Sequence, residues 1–155
     1  MKPLSYLEIS REALRANVAS FRARLGAQQS LIAVVKAIAY GHGIREVVGC
    51  IDNVVDGYQV DDIEELRTLR SVSSRRCLVL GYVQPGELEE AVSLGCELAV
   101  YDRERLAALD RLGATVHVKI DAMLGRQGLL PGDLAAFCEA LRECRELKVA
   151  GVYSH

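Results

Sequence analysis

Neither sign of charge is in surplus in this 155-residue chain: 19 Lys and Arg stand against 21 Asp and Glu, a formal net charge of −2. Nothing in that balance draws the chain to nucleic acid or to an anionic membrane. Long apolar runs are missing too. The longest aliphatic stretch, Leu31 to Val35, falls far below the roughly 18 residues that mark a membrane span. The N-terminus carries Glu8 and Arg11 and has no apolar centre, which argues against a secretory signal. There is no C-x-x-C pair among the five cysteines, Cys50, Cys77, Cys96, Cys138 and Cys144, and their number is odd. Both facts weigh against a disulfide framework and a zinc site. Five reduced, mostly buried small hydrophobes are expected instead. The three histidines, His42, His117 and His155, lie far apart and suggest no metal.

What is present is globular. Half the residues are apolar and 26% are charged, so disorder and low complexity are excluded. The expectation is a cytoplasmic, mixed-structure domain over residues 1–155 with no internal boundary. Short β-branched runs alternate with amphipathic segments. Strands are expected at Leu31–Ala37, Val54–Val60, Cys77–Val83, Cys96–Tyr101, Thr115–Asp121 and Leu147–Ser154. Between them, Leu14, Val18, Phe21 and Leu25 share one helical face, Ile63, Leu66 and Leu69 another, and Leu134, Phe137, Cys138 and Leu141 a third. Leu88, Ala91 and Val92 make a fourth stripe, and Leu106 and Leu109 a fifth. Glu64, Glu65, Arg67 and Arg70 read as solvated surface. Residues Leu4 to Ile9 form a short extended piece ahead of the first helix.

Strand starts recurring every 20 to 30 residues are the mark of βα units on a parallel sheet. Six of them without a hairpin favour a TIM-like (βα)8 barrel over an open doubly wound sheet. A full barrel needs about 200 to 250 residues, so six units make an incomplete one. Its two open edges call for completion by another chain or a second copy.

Three segments carry chemistry. Lys36 ends an apolar strand in Ala33-Val34-Val35-Lys36-Ala37-Ile38-Ala39-Tyr40-Gly41-His42-Gly43, where barrel catalytic residues project. A partly desolvated amine there, beside the Tyr40 hydroxyl, suits Schiff-base formation with a carbonyl compound. A strand-end lysine snorkelling to solvent is the plainer alternative. The G-x-G at Gly41 and Gly43 does not continue as G-x-G-x-x-G, because Glu46 occupies the third position. In Thr115-Val116-His117-Val118-Lys119-Ile120-Asp121 the alternation turns His117, Lys119 and Asp121 to one face. That face is either a polar site or a self-neutralising Lys–Asp network. Arg126 lies in the longest connection, either as an anion- or ring-contacting group or as ordinary surface. His155 shares a face with Val149, Gly151 and Tyr153, or is frayed at the end of the chain.

Together these segments resemble the N-terminal barrel of alanine racemase, a fold-type III enzyme that uses pyridoxal 5'-phosphate. Val34 to Gly43 matches its V-V-K-A-x-A-Y-G-H-G motif, and His117 to Gly128 its V-H-x-K-x-D-T-G-M-x-R-x-G pattern. Asp56 to Arg67 is similar to the family as well. The resemblance implies interconversion of L- and D-alanine, an isomerase reaction in which Lys36 carries the cofactor and serves as one base. It implies that Tyr40 holds the cofactor phosphate and that Lys119, often carbamylated in the family, orients Arg126 toward the ring oxygen. His155 resembles the histidine of the T-H-F-A strand end, and Asp121 is a supporting residue.

The opposing tyrosine base and the last barrel strands have no counterpart here. The resemblance therefore implies no turnover by this chain alone, with a complementary fragment or a second copy as partner. Ile38, Ala122, Met123 and Leu124 depart from the family pattern, all toward apolar or bulky residues. Filling an emptied site or covering an open edge would account for that direction, as in an engineered half-barrel. A self-associating structural module without catalysis is the alternative reading.

Overall fold

The computed structural model describes residues 5–155. Strands and helices alternate throughout. The elements are α1 (Arg11–Arg22), β1 (Ile32–Val34), α2 (Lys36–Tyr40), α3 (Ile44–Ile51), β2 (Gly57–Val60), α4 (Ile63–Arg70) and β3 (Arg76–Val79). They continue as α5 (Leu88–Ser93), β4 (Glu97–Val100), α6 (Leu106–Arg111), β5 (Thr115–Lys119), α7 (Leu134–Glu143) and β6 (Lys148–Tyr153). The six strands stand in chain order, β1 to β6. The pairings β1·β2, β3·β4, β4·β5 and β5·β6 are parallel, as helical crossovers between consecutive strands require. The α/β class and the six strand positions agree with the expectation from sequence. Each strand is shorter than expected, and Lys36 and Ala37, expected within the first strand, belong to α2 instead.

Two compact units divide the chain, one reaching Cys77 and the other running from Leu78 to His155. The division falls inside β3 rather than at a linker. In the first unit, Val35, Val48, Val60, Leu66 and Leu69 form a dry core. Ser10 caps α1 by accepting from the Ala13 N–H at 3.2 Å, and Asp62 caps α4 by accepting from Glu65 N–H at 2.9 Å. The fully buried Tyr58 satisfies its hydroxyl by donating to Asp52 Oδ1 at 3.2 Å. Burial, followed by the charge of Asp52, pushes its pKa upward.

In the second unit, Val79, Leu98, Val100, Leu109, Val116 and Phe137 pack the interior. Strand β5 pairs with β6 from Thr115↔Lys148 to Lys119↔Tyr153, with an irregularity between Val116 and His117. Asp110 ties α6 to the start of β6 by accepting three backbone N–H groups, from Arg145, Glu146 and Leu147.

Several expectations are corrected here. Cys138 is exposed, so it leaves the buried stripe of α7, while Cys50, Cys77 and Cys96 are buried. Phe21, on the α1 stripe, is also exposed. Residues 5–9 carry no strand, and Leu4 lies outside the described residues.

Gly57 shows why one position in the first unit excludes a side chain. A Cβ there would stand 2.5 Å from Arg76 Cγ and 2.8 Å from the Arg76 carbonyl oxygen. The backbone oxygen cannot yield without breaking the strand geometry. Gly57→Ala should therefore lower the unfolding free energy by about 2 kcal/mol. Urea denaturation measures it, and an unchanged midpoint would refute the steric account.

Candidate active site

In the first unit the site begins where β1 ends. Lys36 is followed by four consecutive non-glycine residues in the left-handed region: Ala37, Ile38, Ala39 and Tyr40, with φ of 51°, 57°, 52° and 55°. Each such residue costs about 1–2 kcal/mol relative to a right-handed one. Such strain persists only where the surroundings over-determine it. Hydrogen bonds do so here. Ala39 N–H donates to the Val35 carbonyl at 2.8 Å and Gly43 N–H to the Ile38 carbonyl at 2.9 Å. His42 Nδ1 lies 3.0 Å from the Ala39 carbonyl oxygen. Gly41, at φ 85°, continues the left-handed path at no steric cost.

The strongest clamp is a carboxylate. Glu65 accepts from Ile38 N–H through Oε1 and from Asp61 N–H through Oε2, both at 2.8 Å. One buried side chain thus fastens the left-handed turn to the loop after β2. Glu65 is only 8% exposed, which overturns its reading as solvated surface. The overlooked signal is the spacing Asp62-x-x-Glu65, a capping-box pattern in which the glutamate folds back over the helix start. Folding back brings it to Asp61 and to Ile38 rather than to solvent.

Lys36 presents its amine at 3.7 Å from Asp61 Oδ1, with 30% of the side chain exposed. Asp61 is a second residue missed from sequence; nothing in its local pattern separates it from an ordinary loop acid. Tyr40 points outward and is exposed.

In the second unit, Lys119 is buried on β5 with its Nζ 5.9 Å from the Tyr153 ring centre. Burial, followed by the influence of Tyr101, pushes the Tyr153 hydroxyl up to about 12. Asp121, also buried, spends its carboxylate on the following loop. Oδ1 accepts from Leu124 N–H at 2.9 Å and Gly125 N–H at 3.2 Å, and Oδ2 from Arg126 N–H at 3.1 Å. That loop carries Arg126 to His155, where Nη1 donates to His155 Nε2 at 2.8 Å. Both partners are exposed, and the contact holds the terminal histidine in place. His117 meets Glu97 with Nε2 at 2.5 Å from Oε2. Glu97 was not singled out from sequence, because its partner lies on a neighbouring strand 20 positions away.

The apolar departures do not fill an interior. Met123 is 99% exposed at φ 71°, and Ile38 and Leu124 are exposed as well. The expectation of a repacked site fails on that point.

Six strands in chain order, joined by helical crossovers, define the class of TIM-like barrel folds, of which this chain carries an incomplete portion. Within that class, the chain belongs to the family of the alanine racemase N-terminal domain, whose match runs over residues 9–155. It is 37% identical to alanine racemase of Symbiobacterium thermophilum, over 100% of this chain and 43% of the relative. It is 34% identical to that of Streptococcus pyogenes, over 95% and 42%. Among solved structures, alanine racemase from E. faecalis superposes with a TM-score of 0.87 at 27% identity, over 95% of this chain and 42% of that one. Biosynthetic alanine racemase from Pseudomonas aeruginosa gives 0.78 at 33%, over 93% and 42%. The chain thus spans less than half the length of the relatives it matches.

Proposed function

We propose that this chain is the cofactor-holding portion of a pyridoxal 5'-phosphate-dependent alanine racemase of the cytoplasm. The observation that carries this reading is the placement of Lys36, at the end of β1 and on a strained turn clamped by Glu65. Each unit, taken by itself, carries donors of the kind the cofactor takes. Lys36 offers a primary amine to its aldehyde carbon, Tyr40 an exposed phenol to its phosphate, and Arg126 a guanidinium already aligned by His155. The N–H groups of Gly41, His42 and Gly43 all donate within the turn, so this turn adds no backbone cradle for a phosphate.

When bound, the cofactor supplies an electron sink for deprotonation at an amino-acid α-carbon. Lys36 would bind it and, as one base, move the proton at that carbon. Asp61, 3.7 Å away, holds the Lys36 amine in position. Lys119 and Asp121 act from behind. Asp121 fixes the backbone of the loop that presents Arg126, and buried Lys119 supports the same strand end. A second copy, or the portion of the barrel beyond six strands, is the partner this reading includes. Exposed Val149 and Val152 on the outer strand β6 are where apolar surface calls for cover.

The test is to mix the purified chain with pyridoxal 5'-phosphate, follow the visible absorbance, reduce with borohydride and map the labelled peptide. A single adduct on Lys36, without racemisation by the chain alone, is expected. A folded sample with no adduct, or label spread equally over Lys148 and other lysines, would overturn the proposal.

A further inference from the structure

Arg105 is a buried cation that the proposed function does not use. It sits just before α6, on the loop that follows β4, and is only 7% exposed. Its Nη2 donates to the Val83 carbonyl oxygen at 3.1 Å, on the loop after β3. Its Nε and Nη1 are buried with no acceptor among the described residues. A guanidinium carries five N–H donors and stays charged at any physiological pH. Burying one with most of its donors idle is costly unless an anion meets it.

The neighbouring groups do not fill that role. The Tyr82 ring stacks at 4.5 Å from the guanidinium carbon, but stacking engages the face of the group and leaves its in-plane N–H donors unanswered. Asp102 is turned to the backbone, where Oδ1 accepts from Arg105 N–H at 3.0 Å. Tyr101 stays a neutral phenol, because burial and then the Asp102 charge raise its pKa. The Val83 carbonyl is a single neutral acceptor. Tyr82 is the outermost piece of the arrangement, 45% exposed, so it can swing aside without disturbing the core.

We propose that Arg105 is an anion-binding residue whose guanidinium edge takes a small carboxylate, with Tyr82 as the movable cover over it. A planar carboxylate presents two in-plane oxygens to the idle donors, whereas a spherical halide presents one contact. With Arg105 only 7% exposed, acetate, the smallest stable carboxylate after formate, is the probe that reaches it with least rearrangement. The proposal holds whether or not the chain binds pyridoxal 5'-phosphate.

The experiment titrates the whole chain with sodium acetate against sodium chloride at constant ionic strength, following thermal unfolding and tyrosine near-ultraviolet circular dichroism. Acetate should raise Tm by about 4 °C at ten times its dissociation constant, with the rise growing logarithmically beyond it. Arg105→Met should abolish the rise, and Tyr82→Ala should keep it while removing part of the dichroic change. The Nε–H resonance of Arg105 in the unsubstituted protein gives a readout that needs no folded variant: it should move with acetate and not with chloride. An equal response to chloride, an unmoved resonance, or the same Tm rise in Arg105→Met would overturn the proposal. So would a resonance that moves with protein concentration instead of acetate, since the carboxylate would then come from a second copy.

Discussion

Glu65→Ala is expected to lower the unfolding free energy by about 2–3 kcal/mol and to slow labelling of Lys36 by pyridoxal 5'-phosphate about tenfold or more. The stability loss comes from two backbone donors, Ile38 N–H and Asp61 N–H, that lose their acceptor together. Each costs about 1–3 kcal/mol when left unmet in a buried setting, and partial access of water keeps the sum in the lower range. The kinetic loss has a different origin. The residues from Ala37 to Tyr40 occupy left-handed backbone that only their hydrogen bonds sustain, so releasing the clamp lets the turn relax and carries Lys36 away from its strand end. Small displacements of a reacting group are expensive in rate. Labelling is read by borohydride trapping under conditions where the variant is folded, which separates positioning from stability. Glu65→Gln keeps one acceptor oxygen and should fall between the two. A variant with unchanged urea midpoint and unchanged labelling rate would show that the turn holds itself.

Gly128→Ala should be still more damaging to the second unit, at about 4 kcal/mol. A Cβ at this position would lie 2.5 Å from the Asp121 backbone nitrogen and 2.8 Å from the Ile120 carbonyl carbon. Both neighbours are main chain, so nothing flexible can give way. The bonds from Asp121 N–H to the Leu129 carbonyl and from Leu129 N–H to the Lys119 carbonyl, both 2.9 Å, would have to part. Two lost hydrogen bonds at about 1 kcal/mol each and the overpacking itself, about 1–3 kcal/mol, make up the total. The φ of 151° adds a conformation that side-chain-bearing residues rarely adopt. Since the loop from Asp121 to Arg126 hangs on this crossing, the amides of Leu124, Gly125 and Arg126 should exchange faster with solvent than in the unsubstituted chain. Hydrogen exchange and urea unfolding measure both effects; slow exchange at those amides with an unchanged midpoint would contradict the prediction.

The α/β class, the six strands and the family were all legible in the amino-acid order. Local rules produce them. β-branched runs at regular spacing become parallel strands, and the run from Val34 to Gly43 is specific enough to carry a family resemblance unaided. Period-two alternation also put Val116 and Val118 on a buried side, while Lys119 next to them is buried as well. Residues whose role depends on distant partners were not legible. Glu65 looked like one more charge on a wet helix face, and its burial depends on Ile38, 27 positions earlier. Glu97 acquires meaning only when β4 and β5 pair and bring His117 to it. Met123, one of the departures read as filling an emptied site, stands in solvent at a positive φ, on the loop that Asp121 ties down.

By itself, then, the sequence determined periodicity, strand and helix identity, the strand-end position of Lys36 and membership of the alanine racemase N-terminal domain family, all properties of short windows. Only the tertiary structure decided the left-handed course after Lys36, the carboxylate that holds it, and the unpaired guanidinium of Arg105. A backbone conformation that costs energy locally, or a charge buried without a local partner, is sustained by contacts between segments far apart in the chain, and no short window contains them.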